Sequence, residues 1–346
     1  MERKTRYPTW KALAAKQHVP PLALDARPHF RRGVELERED ERVSQITAEG
    51  AAVPFEDGDG TDIASVARTA DGTRTIAEIA TASGLATERA QAVLSRLYEL
   101  GVVDVGDAEL VAPLAFHRHI EQLGLRVDRR VRRESGLLPR LSEGPGRRLV
   151  LGYLVDKFHF VDSAASHLGA AVHHAPTDRA RMMLTEYLAD EYWHGKWLRS
   201  GLRAAGLSDD EIERSAPLPA TVGLINLLRW TAATDVLSYA ACLAVWEHGG
   251  PERAAGLRLM WDRLLEHKLL PREALMPFRG HALADSELGH GSLWAEPFVD
   301  ASPLGGPQRQ VITRTVLSLL HAMAESHTAI VRYYGPSDGP AYFTLD

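Results

Sequence analysis

Apolar residues recur at helical spacing over nearly the whole stretch from residue 145 to residue 335, and no part of it alternates between apolar and polar side chains. This pattern excludes a sheet in that region and predicts an all-helical bundle of roughly 200 residues, large enough to bury a core of its own. We expect its helices at residues 145–174, 178–206, 219–248, 251–268, 272–290 and 308–333.

The preceding segment, residues 33–110, mixes short strands with short helices. Apolar residues flank a charged turn at residues 39–41, which favours a hairpin, and Ala51–Phe55 adds a third strand. Thr75 with Glu78 three residues later is a capping-box pattern that marks a helix start. The hairpin strands are expected around Val34–Leu36 and Val43–Ile46, and a further strand at Val102–Val105. We expect helices at Asp62–Ala70, Thr75–Ser83 and Thr87–Leu100.

Three other segments separate and flank these two domains. Residues 1–32 contain scattered prolines and are interpreted as an arm, and residues 336–346 are interpreted as a C-terminal tail. Residues 111–144 are interpreted as a basic linker, because six arginines lie from Arg126 to Arg140, and Arg147 and Arg148 follow directly after it. Such a run is typical of a solvated linker or helix face, and it would also serve as a basic collar for an acidic peptide.

The composition narrows the classes of protein that fit. Cys242 is the only cysteine, which excludes a disulfide framework and four-cysteine metal sites and favours a reducing cytoplasm. The formal net charge of -6 gives no global attraction to nucleic acid. No apolar run approaches the roughly 20 residues that cross a bilayer, and the first residues do not form a signal peptide. We therefore expect a cytoplasmic protein with neither a membrane nor a nucleic-acid partner.

Two histidines of the predicted bundle are paired with a carboxylate on the same helix. Glu191 and His194 lie three residues apart, and His281 and Asp285 lie four apart, so each pair occupies one side of its helix. A hard carboxylate beside an imidazole suits iron or manganese, and the ligand types do not distinguish these two metals. The pairs therefore indicate a metal site in the bundle.

A third carboxylate, Glu247, follows a strongly apolar run, and a buried carboxylate needs a partner such as a metal. Each of these signals also has a purely structural interpretation. His194 fits a hydrogen-bonded core histidine, and His281 with Asp285 fits an ordinary helix pair. Glu247 fits a solvated carboxylate at a helix end.

The same carboxylates and imidazoles lie in order on three predicted helices of residues 145–335, and this arrangement resembles the haem-oxygenase-like di-iron oxidases and oxygenases. That family has a TenA/PqqC-like helical fold. The resemblance implies two iron ions per chain, with manganese as an alternative, O2 as co-substrate and a homodimer. The metal ligands that it implies here are Glu191, His194, Glu247, His281, Asp285 and His290.

The last of these ligands departs from the family pattern, in which a histidine follows the aspartate by three residues. That position is Leu288, and the nearest histidine is His290. On an ideal helix His290 lies about 180° from His281, so it faces away from the site. His290 becomes a ligand only if the helix bulges or unwinds at residues 288–289, as helices often do at functional sites.

The run from Asp71 to Val103, with its strands before it and its three helices, resembles the PqqD-like winged-helix domains. The resemblance covers roughly residues 33–106 and implies recognition of the leader of a ribosomally made precursor peptide. The predicted third helix carries Glu88, Arg89, Arg96 and Glu99, and it lacks the basic excess of a DNA-reading helix.

Together these features predict a mainly α-helical protein whose haem-oxygenase-like bundle follows a small α+β winged-helix domain. The first functional hypothesis is a non-haem di-iron oxidase or oxygenase that modifies a precursor peptide in natural-product biosynthesis. A second keeps the metal chemistry and changes the substrate to a free amino acid or a carrier-bound acid. A third is a metal-independent PqqC-like oxidase, and a fourth is a winged-helix DNA-binding regulator.

Overall fold

The computed structural model describes residues 19–48, 51–55, 57–107, 109–248, 251–288, 290–336 and 338–345, without the side chains of 57–58, 251–252, 285–288 and 290–292. The described chain divides into two compact units. One contains residues 19–130 and 298–316, and the other contains residues 131–297 and 317–345. Residues 298–316, which the sequence interpretation placed in the helical domain, therefore fall in the first unit.

The first unit begins with short antiparallel strands, as predicted. Strand β3 lies between β2 and β4, and Glu35 pairs with Thr47 while Ala48 pairs with Ala51. Val43 and Ile46 of the central strand are buried. The strands are β1 (His29–Phe30), β2 (Glu35–Glu39), β3 (Arg42–Ala48) and β4 (Ala51–Pro54).

Three helices and a short strand follow: α1 (Asp57–Ala67), α2 (Ile76–Ser83), α3 (Thr87–Glu99) and β5 (Val103–Asp104), which pairs with β1. The capping box at the start of α2 is confirmed, because Thr75 Oγ1 accepts from the Glu78 N–H and Glu78 accepts from the Thr75 N–H. Gly60 lies so close to the Val43 carbonyl oxygen that a Cβ would approach it to 2.4 Å. The glycine thus lets α1 pack directly on the central strand.

The segment interpreted as a basic linker or helix face is helical over most of its length. It forms α4 (Pro113–Glu134) and α5 (Leu137–Ser142). Arg126 is buried rather than solvated, and its guanidinium donates to the carbonyls of Leu100 at 2.6 Å and Gly101 at 2.7 Å. A cation therefore satisfies the carbonyls at the C-terminal end of α3, where the helix dipole favours positive charge.

The second unit is mainly helical in its described residues, with one isolated β-bridge between Ser215 and Thr344. Its helices are α6 (Arg147–Asp162), α7 (Ala164–His173), α8 (Asp178–Glu191), α9 (His194–Ala204), α10 (Asp209–Arg214), α11 (Pro219–Thr234), α12 (Val236–Trp246), α13 (Pro251–Glu266), α14 (Arg272–Leu288) and a 3-10 helix at His290–Ala295. The short α15 (Glu296–Val299) and the long α16 (Gly306–Tyr334) follow within the described part of the chain. No described helix is long and apolar enough to cross a membrane.

The three long helices predicted at residues 145–174, 178–206 and 219–248 were wrong as continuous elements. Each is two helices, and the interruptions lie at Ser163, at residues 192–193 and at Asp235. Asp235 explains its own break, since its carboxylate accepts from the Leu237 N–H and caps the start of α12. Apolar periodicity continues across such breaks, which is why it does not reveal them.

Close packing of α9 on α14 brings two predicted site helices together. At Gly201 a Cβ would lie 2.7 Å from the Ala274 carbonyl oxygen and 3.0 Å from the Phe278 ring. Leu198, Leu202 and Phe278 are buried in the same core. A glycine at this crossing lets the two backbones approach more closely than any side chain would permit.

Candidate metal centre

Glu191 and His194 lie on either side of the break between α8 and α9. The sequence predicted both on one continuous helix, but Glu191 is the last residue of α8 and His194 is the first of α9. They are in contact despite the break, with His194 Nδ1 2.9 Å from Glu191 Oε2. The E-x-x-H spacing therefore identified a contacting pair, although not on a regular helix.

One oxygen of this buried carboxylate has no hydrogen-bond partner in the described part of the chain. Only 7% of the surface of Glu191 is exposed, and while Oε2 faces His194, Oε1 is the oxygen without a partner. Leaving a buried charged oxygen unsatisfied costs about 1–3 kcal/mol or more. Such an atom is expected where a ligand completes its coordination.

His281 joins this pair from α14. Its ring centroid lies 4.8 Å from that of His194, and the two rings are inclined at 53°. Only 4% of the His281 surface is exposed. The packing of α9 on α14 thus brings an imidazole from each helix close together.

Glu247 ends α12 as its C-cap residue, so the sequence alternative of a helix-end position is correct. Its side chain is nevertheless half-buried and held by two donors. The Tyr187 hydroxyl donates to Oε1 at 2.5 Å, and the Trp294 indole N–H donates to Oε2 at 3.0 Å. The donor rings of Tyr187 and Trp294 are themselves packed edge to face, with centroids 5.1 Å apart. The carboxylate is therefore oriented by the bundle.

A cavity of about 40 Å³ connects three of the predicted ligands, because Glu191, Glu247 and His281 all line it. A space of this size exceeds the ~10–15 Å³ that one water needs, so it also has room for an ion. The remaining walls are mostly apolar and include Phe160, Leu168, Leu228 and Trp246.

Asp285 and His290, the other two predicted ligands, have side chains outside the described residues. The backbone near these two residues is described: α14 ends at Leu288 and the 3-10 helix begins at His290. The predicted helix at 272–290 therefore does not extend to His290, which belongs to the 3-10 helix. Whether either side chain is a ligand stays a prediction.

Among the side chains that the structure describes, no three histidine, cysteine, aspartate or glutamate groups come close enough together to hold a metal ion. The donor types nevertheless fit iron or manganese, since Glu191 and Glu247 supply hard oxygens and His194 and His281 supply imidazoles. The unpartnered Glu191 oxygen and the cavity it lines fit an ion there as well.

Sequence reasoning missed a buried pair beside the cavity, formed by His167 and Tyr239. His167 Nδ1 lies 2.6 Å from the Tyr239 hydroxyl, and His167 lines the cavity. Burial lowers the pKa of His167 to about 3, so the imidazole is neutral at physiological pH. Burial and the charges of Glu247 and Glu191 raise the pKa of Tyr239 well above its ordinary value. His159, on α6, is hydrogen-bonded to the Ser215 hydroxyl at 2.8 Å and is not part of the wall of this cavity.

Residues 151–321 match the model of a family described as iron-containing redox enzymes. A domain of unknown function with a haem oxygenase-like fold, from Shewanella denitrificans OS217, superposes with a TM-score of 0.53 at 17% identity, over 65% of this chain and 97% of that chain. A TenA homolog from Pseudomonas syringae pv. tomato DC3000 superposes with a TM-score of 0.50 at 14% identity, over 66% of this chain and 100% of that chain. None of the curated proteins matches the chain.

These comparisons confirm the predicted fold class, a mainly helical, haem-oxygenase-like protein with a small strand-containing region near its N-terminus. The family match supports a redox enzyme and suggests iron. The PqqD-like resemblance of residues 33–106 stays a prediction.

Proposed function

We propose that this chain is a non-haem, iron-dependent oxidase or oxygenase that uses O2 to modify an organic substrate. The observation that carries the proposal is the buried, unpartnered Glu191 oxygen on a cavity that Glu247 and His281 also line. Two carboxylates and two imidazoles on helices of one bundle are the ligand types from which such proteins build di-iron and di-manganese sites. The family match of residues 151–321 points in the same direction.

In this proposal Glu191, His194, Glu247 and His281 hold the metal, with Asp285 and His290 as further ligands to be tested. Bound iron, two ions per chain or manganese in its place, would supply the activation of O2. The protein's own part is to fix the ligands and keep water out. Tyr187 and Trp294 hold both oxygens of Glu247, and outer partners of this kind set ligand geometry and basicity.

Metal analysis of the purified full-length chain tests the proposal. We expect one to two iron or manganese ions per chain in the wild type and a large loss in Glu191→Gln, which keeps the shape of the side chain but removes its charge. Glu186→Gln is the matched control, because Glu186 lies on the same helix and is exposed. The control should keep the wild-type metal content.

A metal-free wild type that still oxidises a substrate would contradict the proposal and support the PqqC-like, metal-independent alternative. Equal metal loading in Glu191→Gln and the wild type would remove Glu191 from the ligand set. Circular dichroism of each variant separates loss of metal from loss of fold.

The second part of the proposal concerns delivery of the substrate. We propose that the small N-terminal sheet holds the leader of a precursor peptide, whose modified part then reaches the metal at a raised effective concentration. The support is that β2 is an edge strand of a three-stranded antiparallel sheet, and four of its five residues are exposed. An edge strand of this kind accepts a peptide as an additional strand.

Binding of a short peptide encoded beside this chain's gene, measured by fluorescence anisotropy with the full-length protein, tests the delivery proposal. We expect saturable binding to the wild type, and no binding to any such peptide would contradict the proposal. A salt-dependent shift of duplex DNA in the same assay would instead favour the regulator alternative.

A further inference from the structure

A groove of about 430 Å³ lies within the first unit. Its walls come from the segment after β1, from β5 and the loop that follows it, from α4 and from the first turns of α16. None of its described wall residues lines the cavity that Glu191 shares with Glu247 and His281. Its volume falls within the ~300–1,000 Å³ of typical small-molecule sites, so the first unit has a candidate ligand site of its own.

Arg31 is the wall residue best suited to bind an anion, because its guanidinium is held by a histidine and not by a carboxylate. Arg31 Nη1 lies 3.4 Å from His119 Nε2, and this is the one side-chain hydrogen bond of Arg31 within the described residues. His119 Nδ1 lies 2.9 Å from the Tyr98 carbonyl oxygen, which only accepts, so Nδ1 carries the proton and Nε2 accepts from Arg31. A neutral acceptor directs the guanidinium and leaves its positive charge available to a ligand.

His119 stays neutral because it is buried. Only 2% of its surface is exposed, and its ring stacks on that of Tyr98 with centroids 4.5 Å apart. Burial is the main cause that lowers the pKa of His119 to about 4, and the charge of Arg31 lowers it further while that of Asp104 opposes the shift. At physiological pH the histidine therefore orients Arg31 without adding a charge of its own.

Two further arginines add positive charge to the same wall. Arg309 is 5% exposed, donates to the Gly106 carbonyl at 2.8 Å and lies 3.6 Å from the Asp104 carboxylate, so the protein holds it in place. Arg314 is exposed, and its guanidinium donates to Gln310 Oε1 at 3.1 Å. The groove thus presents one oriented arginine, one buried arginine and one exposed arginine.

Two carboxylates limit which anion fits this wall. Asp104 and Asp107 line the groove together with the three arginines. A phosphate ester carries about 1.5 to 2 negative charges near pH 7, so both aspartates repel it more strongly than they repel a singly charged group. The planar guanidinium of Arg31 matches a carboxylate in two parallel hydrogen bonds. The wall therefore favours a carboxylate over a phosphate.

We propose that this groove binds a small carboxylate ligand, with the carboxylate against Arg31 and with Arg314 as a second cation. The carboxylate belongs to a free organic acid or to an acidic side chain of a peptide. Because His119 already directs Arg31, binding costs less side-chain freedom than it would at an unrestrained surface arginine. The site is independent of the proposed oxidase, since it uses none of the candidate metal ligands.

Calorimetric titration of the full-length chain with N-acetylglycine, and with N-acetylglycinamide as its uncharged counterpart, tests the proposal. A chelator in both titrations prevents coordination of the acid to any iron in the preparation. We expect the acid to bind about tenfold or more tightly than the amide, because only the acid pairs with the arginines.

Arg31→Gln should remove most of this preference for the acid, because glutamine keeps a hydrogen-bonding side chain but carries no charge. Arg32→Gln is the matched control, since Arg32 is the next residue, is exposed and lies outside the wall. The control should keep the wild-type preference.

Arg314→Gln is the second variant, and it keeps the proposal testable if Arg31→Gln does not fold, because Arg314 is exposed. We expect it to reduce the preference for the acid by a smaller factor than Arg31→Gln does. Equal affinity for acid and amide in the wild type, or the wild-type preference in each of the two variants that folds, would overturn the proposal.

A second pair of probes distinguishes the two sources of the carboxylate. These are the blocked tripeptides acetyl-Gly-Glu-Gly-amide and acetyl-Gly-Gln-Gly-amide, titrated against the wild type and Arg31→Gln. A preference for the acid that depends on Arg31 and is larger in the tripeptide pair supports a peptide side chain as the ligand, and a larger preference in the N-acetylglycine pair supports a free acid. A preference in neither pair contradicts the site.

Discussion

Glu247 illustrates how a single carboxylate is positioned by residues far away in the chain. It sits at a helix end, where it would be solvated if Tyr187 of α8 and Trp294 of the 3-10 helix did not donate to its two oxygens. A hydrogen bond to a charged group contributes about 1.5–3 kcal/mol. The direction in which Glu247 presents its oxygens therefore depends on these donors.

Replacing Tyr187 by phenylalanine removes one donor and keeps the ring. If Glu247 is a ligand, Tyr187→Phe should weaken iron binding about tenfold or more, since loss of an outer partner typically costs that much in metal affinity. The measurement is competition for iron against a chelator of known affinity.

The control for this change is Tyr192→Phe at the break between α8 and α9, where Tyr192 is 55% exposed. Its iron affinity should equal that of the wild type. Unchanged affinity in a folded Tyr187→Phe chain would argue that Glu247 does not bind the metal.

At the scale of residues, spacing in the sequence predicted a contact between neighbours in the chain but not the contacts between residues on separate elements. The E-x-x-H spacing predicted the Glu191–His194 contact because the two residues are close along the chain. The spacing of His281 and Asp285 marked His281 as a candidate metal ligand, and the resemblance implied one site shared with Glu191 and His194. The Tyr187 and Trp294 donors were not predicted, because they meet Glu247 only after three separate elements have packed, and no local pattern carries that information.

At the scale of elements, the crossing of α9 and α14 holds His194 near His281. Gly201→Ala would push a methyl group to 2.7 Å from the Ala274 carbonyl oxygen, which is backbone and cannot turn aside. We expect a loss of about 1–3 kcal/mol in the free energy of unfolding, together with weaker iron binding as the two helices separate. Chemical denaturation and the chelator competition measure the two effects.

Gly223→Ala is the matched change on α11, where Gly223 is exposed and a Cβ would meet nothing within 4 Å. An alanine there should stabilise the helix by up to about 1 kcal/mol and leave iron binding unchanged. If Gly201→Ala were as stable as the wild type, the α9–α14 crossing would have room for a methyl group that its packing indicates it lacks.

Apolar periodicity predicts that a segment is helical, but it does not predict where one helix ends and the next begins. Helical spacing predicted the second unit as helical, yet it joined pairs of helices across Ser163, residues 192–193 and Asp235. Both sides of each break bury apolar residues in the same core, so the apolar pattern continues through it. In the first unit the strands and the capping box were predicted well, because turns and caps are encoded locally.

At the scale of the whole molecule, stability depends on histidines that fold in their neutral form. In the helical unit, burial lowers the pKa of His159 to about 4 and those of His167 and His327 to about 3, from an ordinary value of 6.5. The unfolded chain binds protons at these positions below pH 6.5, and the folded chain does not. Their contribution is therefore complete above that pH and is lost as the pH falls toward the folded values.

Asp156 opposes this trend, because burial raises its pKa to about 6 and its folded form takes up a proton before the unfolded chain does. Three histidines outweigh one aspartate, so the net effect below pH 6.5 is destabilisation by acid. Each histidine contributes up to about 1.4 kcal/mol per pH unit in this range. We therefore expect the helical unit to unfold on mild acidification, well before the exposed carboxylates are protonated.

His159→Gln tests this account, because glutamine can still bond the Ser215 hydroxyl that His159 reaches at 2.8 Å, but it does not titrate. The acid-unfolding midpoint, followed by circular dichroism, should move to lower pH in this variant. His321→Gln on the exposed side of α16 serves as the control and should leave the midpoint in place. A buried histidine that stays neutral destabilises the fold once the unfolded chain takes up the proton. If the midpoint of His159→Gln equals that of the wild type, acid unfolding begins elsewhere in the molecule.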